Sequence, residues 1–180
     1  VVDPWSVLDK QGADAVRWYF YTSSAPWLPS RFYPEAVSEA QRKYMGTIWN
    51  TYAFFCLYAD IDGYDPSKYD LKKCKLSLMD KWILSKLNTL IDEVDKHLAV
   101  YNITDSARAL QEFSDILSNW YVRRSRERYW GSEMTQDKIN AYMTLYTVLT
   151  TFAKLSAPFI PFMAEEIYLN LVREIDPTAP

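Results

Sequence analysis

Apolar side chains recur at helical spacing over most of this 180-residue chain. The clearest run follows Ser77 and consists of Ile83, Leu87, Leu90, Val94 and Leu98. Positions three or four residues apart share one face of a helix, and Ser77 with Asp80 resembles a capping box at its start. No stretch alternates with period two for long enough to require a sheet. The pattern therefore predicts an all-α helical bundle.

Proline, glycine and polar capping residues set the expected limits of the other helices. Pro34 suits a first helical position, and the helix that it starts is expected to end near Gly63. A helix that begins near Asn102 follows its predecessor so closely that the two are expected to be antiparallel neighbours. A further helix is expected from Thr135, and a last one begins after the break at Pro161.

The first thirty residues differ from this pattern. Asp3–Pro4 predicts a turn, and a short helix is expected between Ala13 and Thr22. Two prolines in Ala25–Pro29 cannot continue that helix, because each fixes φ and lacks an N–H donor. We therefore divide the chain into residues 1–30 and residues 31–180.

The segment Leu117–Trp130 concentrates charge and aromatic rings. Its arginines are Arg123, Arg124, Arg126 and Arg128, and tryptophan and tyrosine flank them on both sides. Guanidinium groups bind phosphates and flat rings stack on unpaired bases, so this combination suits single-stranded RNA. The alternative is a solvated helix end, where arginines near the C-terminus are favoured by the helix dipole.

Helical geometry separates the arginines of this segment. Its apolar stripe contains Leu110, Phe113, Leu117, Trp120 and Tyr121. If the helix continues without a break, Arg124 lies on the same stripe, as does Arg128. A buried charge needs a partner, so we expect Arg124 to form an ion pair with a carboxylate. The carboxylate candidates are Asp115, Glu165 and Glu166. The candidate RNA-binding residues are Arg123, Arg126, Arg128 and Trp130.

Composition restricts the function further. The formal net charge is −3, which argues against indiscriminate nucleic-acid binding, so any RNA contact is expected to be local and no DNA partner is expected. Cys56, Cys74 and His97 cannot supply a closed four-ligand zinc site, and no metal is expected. Sparse cysteine and the lack of a long apolar run predict a cytoplasmic protein without a membrane partner.

Several motifs resemble those of class I aminoacyl-tRNA synthetases. Asp3–Pro4 with Gly12–Arg17 is similar to the segment after their KMSKS loop, and Asp80–Asn88 (DKWILSKLN) resembles an element of their anticodon-binding bundles. Ser118–Arg126 (SNWYVRRSR) resembles the form typical of isoleucyl-tRNA synthetases, and Ala157–Tyr168 (APFIPFMAEEIY) is similar to another family motif. The resemblance covers nearly the whole chain in the family's order.

The resemblance implies a stem-contact segment at residues 1–30, followed by an anticodon-binding bundle at residues 31–180. The family activates isoleucine with ATP and transfers it to isoleucine tRNA. The HIGH and KMSKS motifs are absent here, so this piece of a longer protein is expected to be inactive alone and to hold no cofactor. Its partners would be isoleucine tRNA and the catalytic and editing domains of the same chain, as a monomer. An anticodon-binding bundle of the valine, leucine or methionine relatives and a helical protein-interaction module remain alternatives.

Overall fold

The computed structural model describes residues 3–25, 27–29 and 31–179, and this part of the chain contains helices and no strand. The all-α prediction is therefore confirmed. The α-helices are α1 (Pro4–Gln11), α2 (Ala13–Ser23), α3 (Pro34–Gln41), α4 (Thr47–Asp62), α5 (Leu78–Ala99), α6 (Ile103–Ile116), α7 (Arg123–Ser125), α8 (Glu127–Trp130), α9 (Gln136–Ser156) and α10 (Pro161–Tyr168). Single π-helical turns at Arg42–Gly46, Leu117–Val122 and Leu169–Arg173 continue α3, α6 and α10.

Local capping groups fix where the helices begin and end. The capping box at α5 forms as predicted: Asp80 N donates to Ser77 Oγ at 3.2 Å, and Ser77 N donates to Asp80 Oδ2 at 2.9 Å. Pro34 starts α3, and Thr135 Oγ1 accepts a hydrogen bond from the first turn of α9. Gly63 ends α4 with φ of 59°, a left-handed conformation that glycine adopts without strain.

The larger of two hydrophobic clusters in the described residues runs through the bundle, and the smaller one consists of Val7, Ala15, Tyr19 and Val37. Helix α5 packs most extensively against α6, and α9 contacts α4, α5 and α10. Stacked aromatic rings fill the space between helices: Trp18 of α2 lies 3.6 Å from Tyr44, and Tyr64 lies 4.4 Å from Tyr142, measured between ring centroids. The core therefore includes a ring from the N-terminal segment as well as those of the bundle.

Helix α2 is attached to the start of α10 by polar contacts. The guanidinium of Arg17 donates to the carbonyl oxygens of Pro158 at 2.8 Å and Phe159 at 3.1 Å. The buried carboxylate of Asp14 accepts a hydrogen bond from Met163 N at 2.8 Å. The predicted division at residue 30 stays a prediction, and Pro26 and Ser30 of that connection lie outside the described residues.

No helix in the described ranges has the length and the apolar character that crossing a membrane requires.

Candidate nucleic-acid interface

A π-helical turn at Leu117–Val122 determines which side chains of the arginine-rich segment face the core. In a π-turn each hydrogen bond spans one more residue than in an α-helix, so the following residues rotate relative to an unbroken α-helix. Buried positions recur every four residues, at Leu117, Tyr121, Ser125 and Tyr129, and Val122 next to Tyr121 is buried as well. The predicted stripe requires an unbroken α-helix, and the π-turn interrupts that helix.

The residue of this segment that forms a buried ion pair is Arg128. Its Nη1 and Nη2 atoms lie 2.7 and 2.9 Å from the two carboxylate oxygens of Asp80. Its Nε atom also donates to Asp137 at 2.8 Å, and Nη2 donates to the backbone oxygen of Asp137 at 3.0 Å. The Asp80 side chain is fully buried, and the Arg128 side chain is 15% exposed. Arg128, predicted to bind RNA, thus lies in the scaffold and binds the first turns of α5 and α9.

The surroundings of Asp80 favour its charged form. Burial alone would raise the pKa of Asp80, but hydrogen bonds from Arg128, Tyr121 and Ser77 outweigh burial and lower this pKa below its usual value. The Tyr121 hydroxyl donates to Asp80 Oδ1 at 2.6 Å. The pKa of Arg128 is raised by the two carboxylates despite the burial of its guanidinium. The ion pair is therefore charged throughout the neutral range.

Aromatic packing at Tyr129 also holds the segment against the bundle. Tyr129 is buried, and its ring packs edge-on against Phe54 and Tyr142 at centroid distances of 5.1 and 4.9 Å. Its hydroxyl donates to the backbone oxygen of Ala141 at 3.0 Å. The ion pairs of Arg128 and the aromatic contacts of the adjacent Tyr129 together hold the segment against the bundle.

The predicted ion pair of Arg124 is wrong. Arg124 is exposed and forms no ion pair with a carboxylate in the described part of the chain; Asp115, Glu165 and Glu166 are exposed as well. Instead, its guanidinium carbon lies 4.5 Å from the ring centroid of Trp120. Trp120 itself is 51% exposed rather than part of the apolar stripe. Both side chains therefore lie at the surface and not on the predicted stripe.

Arg123, Arg126 and Trp130 all lie at the surface. Arg123 and Arg126 are exposed, and the Trp130 side chain is 60% exposed. The guanidinium of Arg126 lies 5.8 Å from the Phe54 ring centroid, which places its stem along the bundle. These three residues are thus accessible to a ligand, and their role in RNA binding stays a prediction.

A lysine-lined groove lies at the same end of the bundle. Its volume is about 710 Å³, and Lys72, Lys75 and Lys81 are among the residues that line it. Lys81 follows Asp80, the partner of Arg128, and the Lys75 backbone oxygen accepts a hydrogen bond from Asn140 at 2.7 Å. The groove adds cations close to the arginine-rich segment.

Asp137 and Tyr121 complete the anchor of the segment, and no local sequence pattern assigns them to it. Asp80 was recognised only as a capping residue. Asp137 lies in the first turn of α9, where the helix dipole favours a carboxylate, so its charge carried no special signal.

In the described residues, no group of three histidine, cysteine or acidic side chains is arranged to hold a metal ion.

Comparison with known proteins identifies relatives along the whole chain. Isoleucine–tRNA ligases of Clostridium tetani and Clostridium novyi are each 58% identical over 179 residues, which is 99% of this chain and 17% of each relative. The isoleucine–tRNA ligase of Dehalococcoides mccartyi strain 195 is 50% identical over 179 residues and is covered to 18% of its length. The chain thus spans less than a fifth of the length of these curated relatives.

Solved structures share the fold at low sequence identity. LeuRS of Agrobacterium radiobacter K84, in a ternary complex with tRNA and LeuAMS, matches 96% of this chain and 19% of its own with a TM-score of 0.71 and 19% identity. Free Mycobacterium tuberculosis methionyl-tRNA synthetase matches 92% of this chain and 34% of its own with a TM-score of 0.69 and 16% identity. Residues 80–177, more than half of the chain, match the family described as the anticodon-binding domain of tRNA ligase. The chain therefore belongs to the family of tRNA-ligase anticodon-binding domains.

Proposed function

We propose that this chain is the anticodon-binding part of an isoleucine–tRNA ligase and that it binds the anticodon stem-loop of isoleucine tRNA. Its 58% identity to isoleucine–tRNA ligases over nearly its whole length supports the choice of amino acid. The observation that carries the binding role is the arrangement of one segment. Arg123, Arg126 and Trp130 are exposed on it, while Arg128 anchors it to the bundle.

The exposed side chains supply two kinds of RNA contact. Arg123 and Arg126 carry guanidinium groups that bind phosphate oxygens through paired N–H donors. The Trp130 ring provides a surface on which an unpaired base stacks. Because the segment is already ordered, little conformational entropy is lost when RNA binds to it. Its local charge is strongly positive although the whole chain carries a net charge of −3.

Affinity for isoleucine tRNA measured against salt concentration tests this role. Removing an arginine that neutralises a phosphate lowers the log–log salt slope by about 0.7 on single-stranded RNA. Arg123→Ala and Arg126→Ala should therefore weaken binding and flatten the slope. Trp130→Ala should weaken binding by about 1–3 kcal/mol at a nearly constant slope. Arg173→Ala, an exposed arginine beyond α10, is the matched control and should bind like the parent.

Two results would contradict the proposal. If the segment variants bind isoleucine tRNA like Arg173→Ala, the segment is a solvated helix end and not the RNA surface. If the parent chain binds valine tRNA as tightly as isoleucine tRNA, the choice of amino acid is wrong. Circular dichroism of each variant shows that its fold is intact, so that weaker binding can be assigned to the lost side chain.

The rest of the proposal concerns the whole protein. The full-length protein would be an ATP-dependent isoleucine–tRNA ligase that acts as a cytoplasmic monomer, with its catalytic and editing domains outside this chain. This chain alone should be inactive and hold no cofactor, because its sequence lacks the HIGH and KMSKS motifs. Isoleucine-dependent exchange of pyrophosphate into ATP is the assay, and exchange by the pure 180-residue chain would refute its inactivity.

A further inference from the structure

We propose that Trp120 and Arg124 form a second nucleotide-binding position on the arginine-rich segment, which takes one unpaired nucleotide of RNA. This inference rests on the proposed function and extends its contact surface beyond Arg123, Arg126 and Trp130. The indole of Trp120 would provide the stacking surface for the base. The guanidinium of Arg124 would bind the adjacent phosphate.

The exposure of Trp120 sets it apart from the neighbouring aromatic rings. Its side chain is 51% exposed although it belongs to a segment whose neighbouring rings, Tyr121 and Tyr129, are almost fully buried. A large ring at the surface gives up hydrophobic burial, so the core does not account for this tryptophan. Trp120 is accessible in the described structure and is joined to the exposed arginines of the same segment.

The Arg124 guanidinium lies against the Trp120 ring. It lies 4.5 Å from the Trp120 ring centroid, within the range of a cation–π contact. Among the described residues it forms neither an ion pair nor a hydrogen bond, in contrast to Arg128 on the same segment. A cation–π contact uses the face of the guanidinium and leaves its in-plane N–H donors free. Arg124 is therefore held in place with its hydrogen-bonding capacity available.

Trp120 and Arg124 together match the two parts of a nucleotide, its base and its phosphate. A base stacks on an aromatic ring regardless of its sequence, and its phosphate accepts paired N–H bonds from a guanidinium. Trp120 and Arg124 supply one group of each kind within contact distance of each other. Trp120 lies in the π-turn and Trp130 ends α8 ten residues later, so roughly two helical turns or more separate the two rings. One base cannot contact both rings, so the two tryptophans would take different unpaired nucleotides.

A hairpin that carries the isoleucine anticodon loop is a suitable probe, with fluorescence anisotropy as the readout. Trp120→Ala should weaken binding by about 5- to 150-fold, the range expected for one stacked base. Arg124→Ala should weaken binding and reduce the salt slope by about 0.7. Trp49→Ala removes a tryptophan that is 44% exposed on α4, outside residues 1–30 and the arginine-rich segment, and serves as the control, with affinity like the parent.

Conservative variants separate binding from a structural role. Trp120→Phe keeps a stacking ring and should recover most of the affinity. Arg124→Lys keeps the charge without the planar fork, so it should restore the salt slope but only part of the affinity. A blunt RNA duplex has no unpaired loop base, and on this probe Trp120→Ala should bind like the parent. If Trp120→Ala fails to fold, Arg124→Ala and Arg124→Lys decide the question.

The outcomes separate this inference from the proposed function. If Trp120→Ala and Arg124→Ala bind the hairpin like Trp49→Ala while Trp130→Ala binds weakly, the second position is refuted and the proposed function stands. If Trp120→Phe binds as weakly as Trp120→Ala, stacking at Trp120 is also refuted. If the parent binds the hairpin no better than the blunt duplex, the proposed function fails, and this inference fails with it.

Discussion

Removal of the Arg128 guanidinium should destabilise the bundle far more than removal of any neighbouring arginine. Arg128→Ala deletes two hydrogen bonds to Asp80, at 2.7 and 2.9 Å, and the bonds to Asp137. The Asp80 carboxylate stays fully buried and loses the cation that balances its charge. Asp137 loses less, because its side chain is 60% exposed and water can replace the guanidinium.

The expected cost follows from this difference in burial. Truncating one partner of a buried ion pair costs about 3–5 kcal/mol, because the other charge remains without compensation. For a chain of this size, that corresponds to a fall in the melting temperature of about 6–20 °C. Arg123→Ala removes an exposed arginine from the same segment, and surface changes of this kind stay within about 0.5 kcal/mol. We therefore predict a large loss of unfolding free energy for Arg128→Ala and almost none for Arg123→Ala, five positions away.

Urea unfolding followed by circular dichroism measures the free energy of unfolding for both variants. Addition of Asp80→Asn to Arg128→Ala should recover part of the loss, because the uncompensated buried charge is then gone. The reasoning is refuted if Arg128→Ala and Arg123→Ala unfold at the same urea concentration. It is also refuted if Asp80→Asn makes the Arg128→Ala protein still less stable.

Two further predictions concern Asp80 and Asp14. The lowered pKa of Asp80 means that its stabilising effect is complete above the usual aspartate pKa of about 3.9 and is lost as pH falls through the lower folded value. The free energy of unfolding should therefore fall less steeply with decreasing pH in Asp80→Asn than in the parent. An equally steep fall in both proteins would contradict the lowered pKa of Asp80. Asp14 accepts hydrogen bonds from Phe162 N and Met163 N at the start of α10, so Asp14→Ala should cost about 0.5–2 kcal/mol in urea unfolding. A loss below that range would show that these bonds do not hold α2 against α10.

Periodicity and capping chemistry were enough to predict most of the helices. Ser77 and Asp80 marked the start of α5 because their side chains satisfy N–H groups that any α-helix leaves free. Pro34 and Gly63 marked the start of α3 and the end of α4 through their restricted or unusual φ angles. These signals are local, so a single sequence contains them in full.

The orientation of the arginines could not be predicted in the same way. A π-turn precedes Arg124, which lies at the surface and not on the stripe of an unbroken α-helix, and the ion pair expected of Arg124 is formed by Arg128. The spacing of Leu117, Tyr121 and Tyr129 in multiples of four fits the observed register. The same spacing fits the apolar stripe of an unbroken α-helix equally well, so the sequence alone does not distinguish a helix with a π-turn from one without. The buried partner Asp80 lies 48 positions away, a distance that local patterns do not cover.

The buried ion pair sets the orientation of the segment as well as its stability. A pair of apolar side chains could hold a helix against the bundle, and such replacements are often as stable as the ion pair. Apolar contacts, however, are non-directional, whereas Arg128 must present its planar donors to Asp80 and Asp137 at once. This requirement fixes the rotation of the segment about its axis. With Arg128 turned inward, Arg123 and Arg126 are turned outward, so one arginine bound to the scaffold determines where the others point.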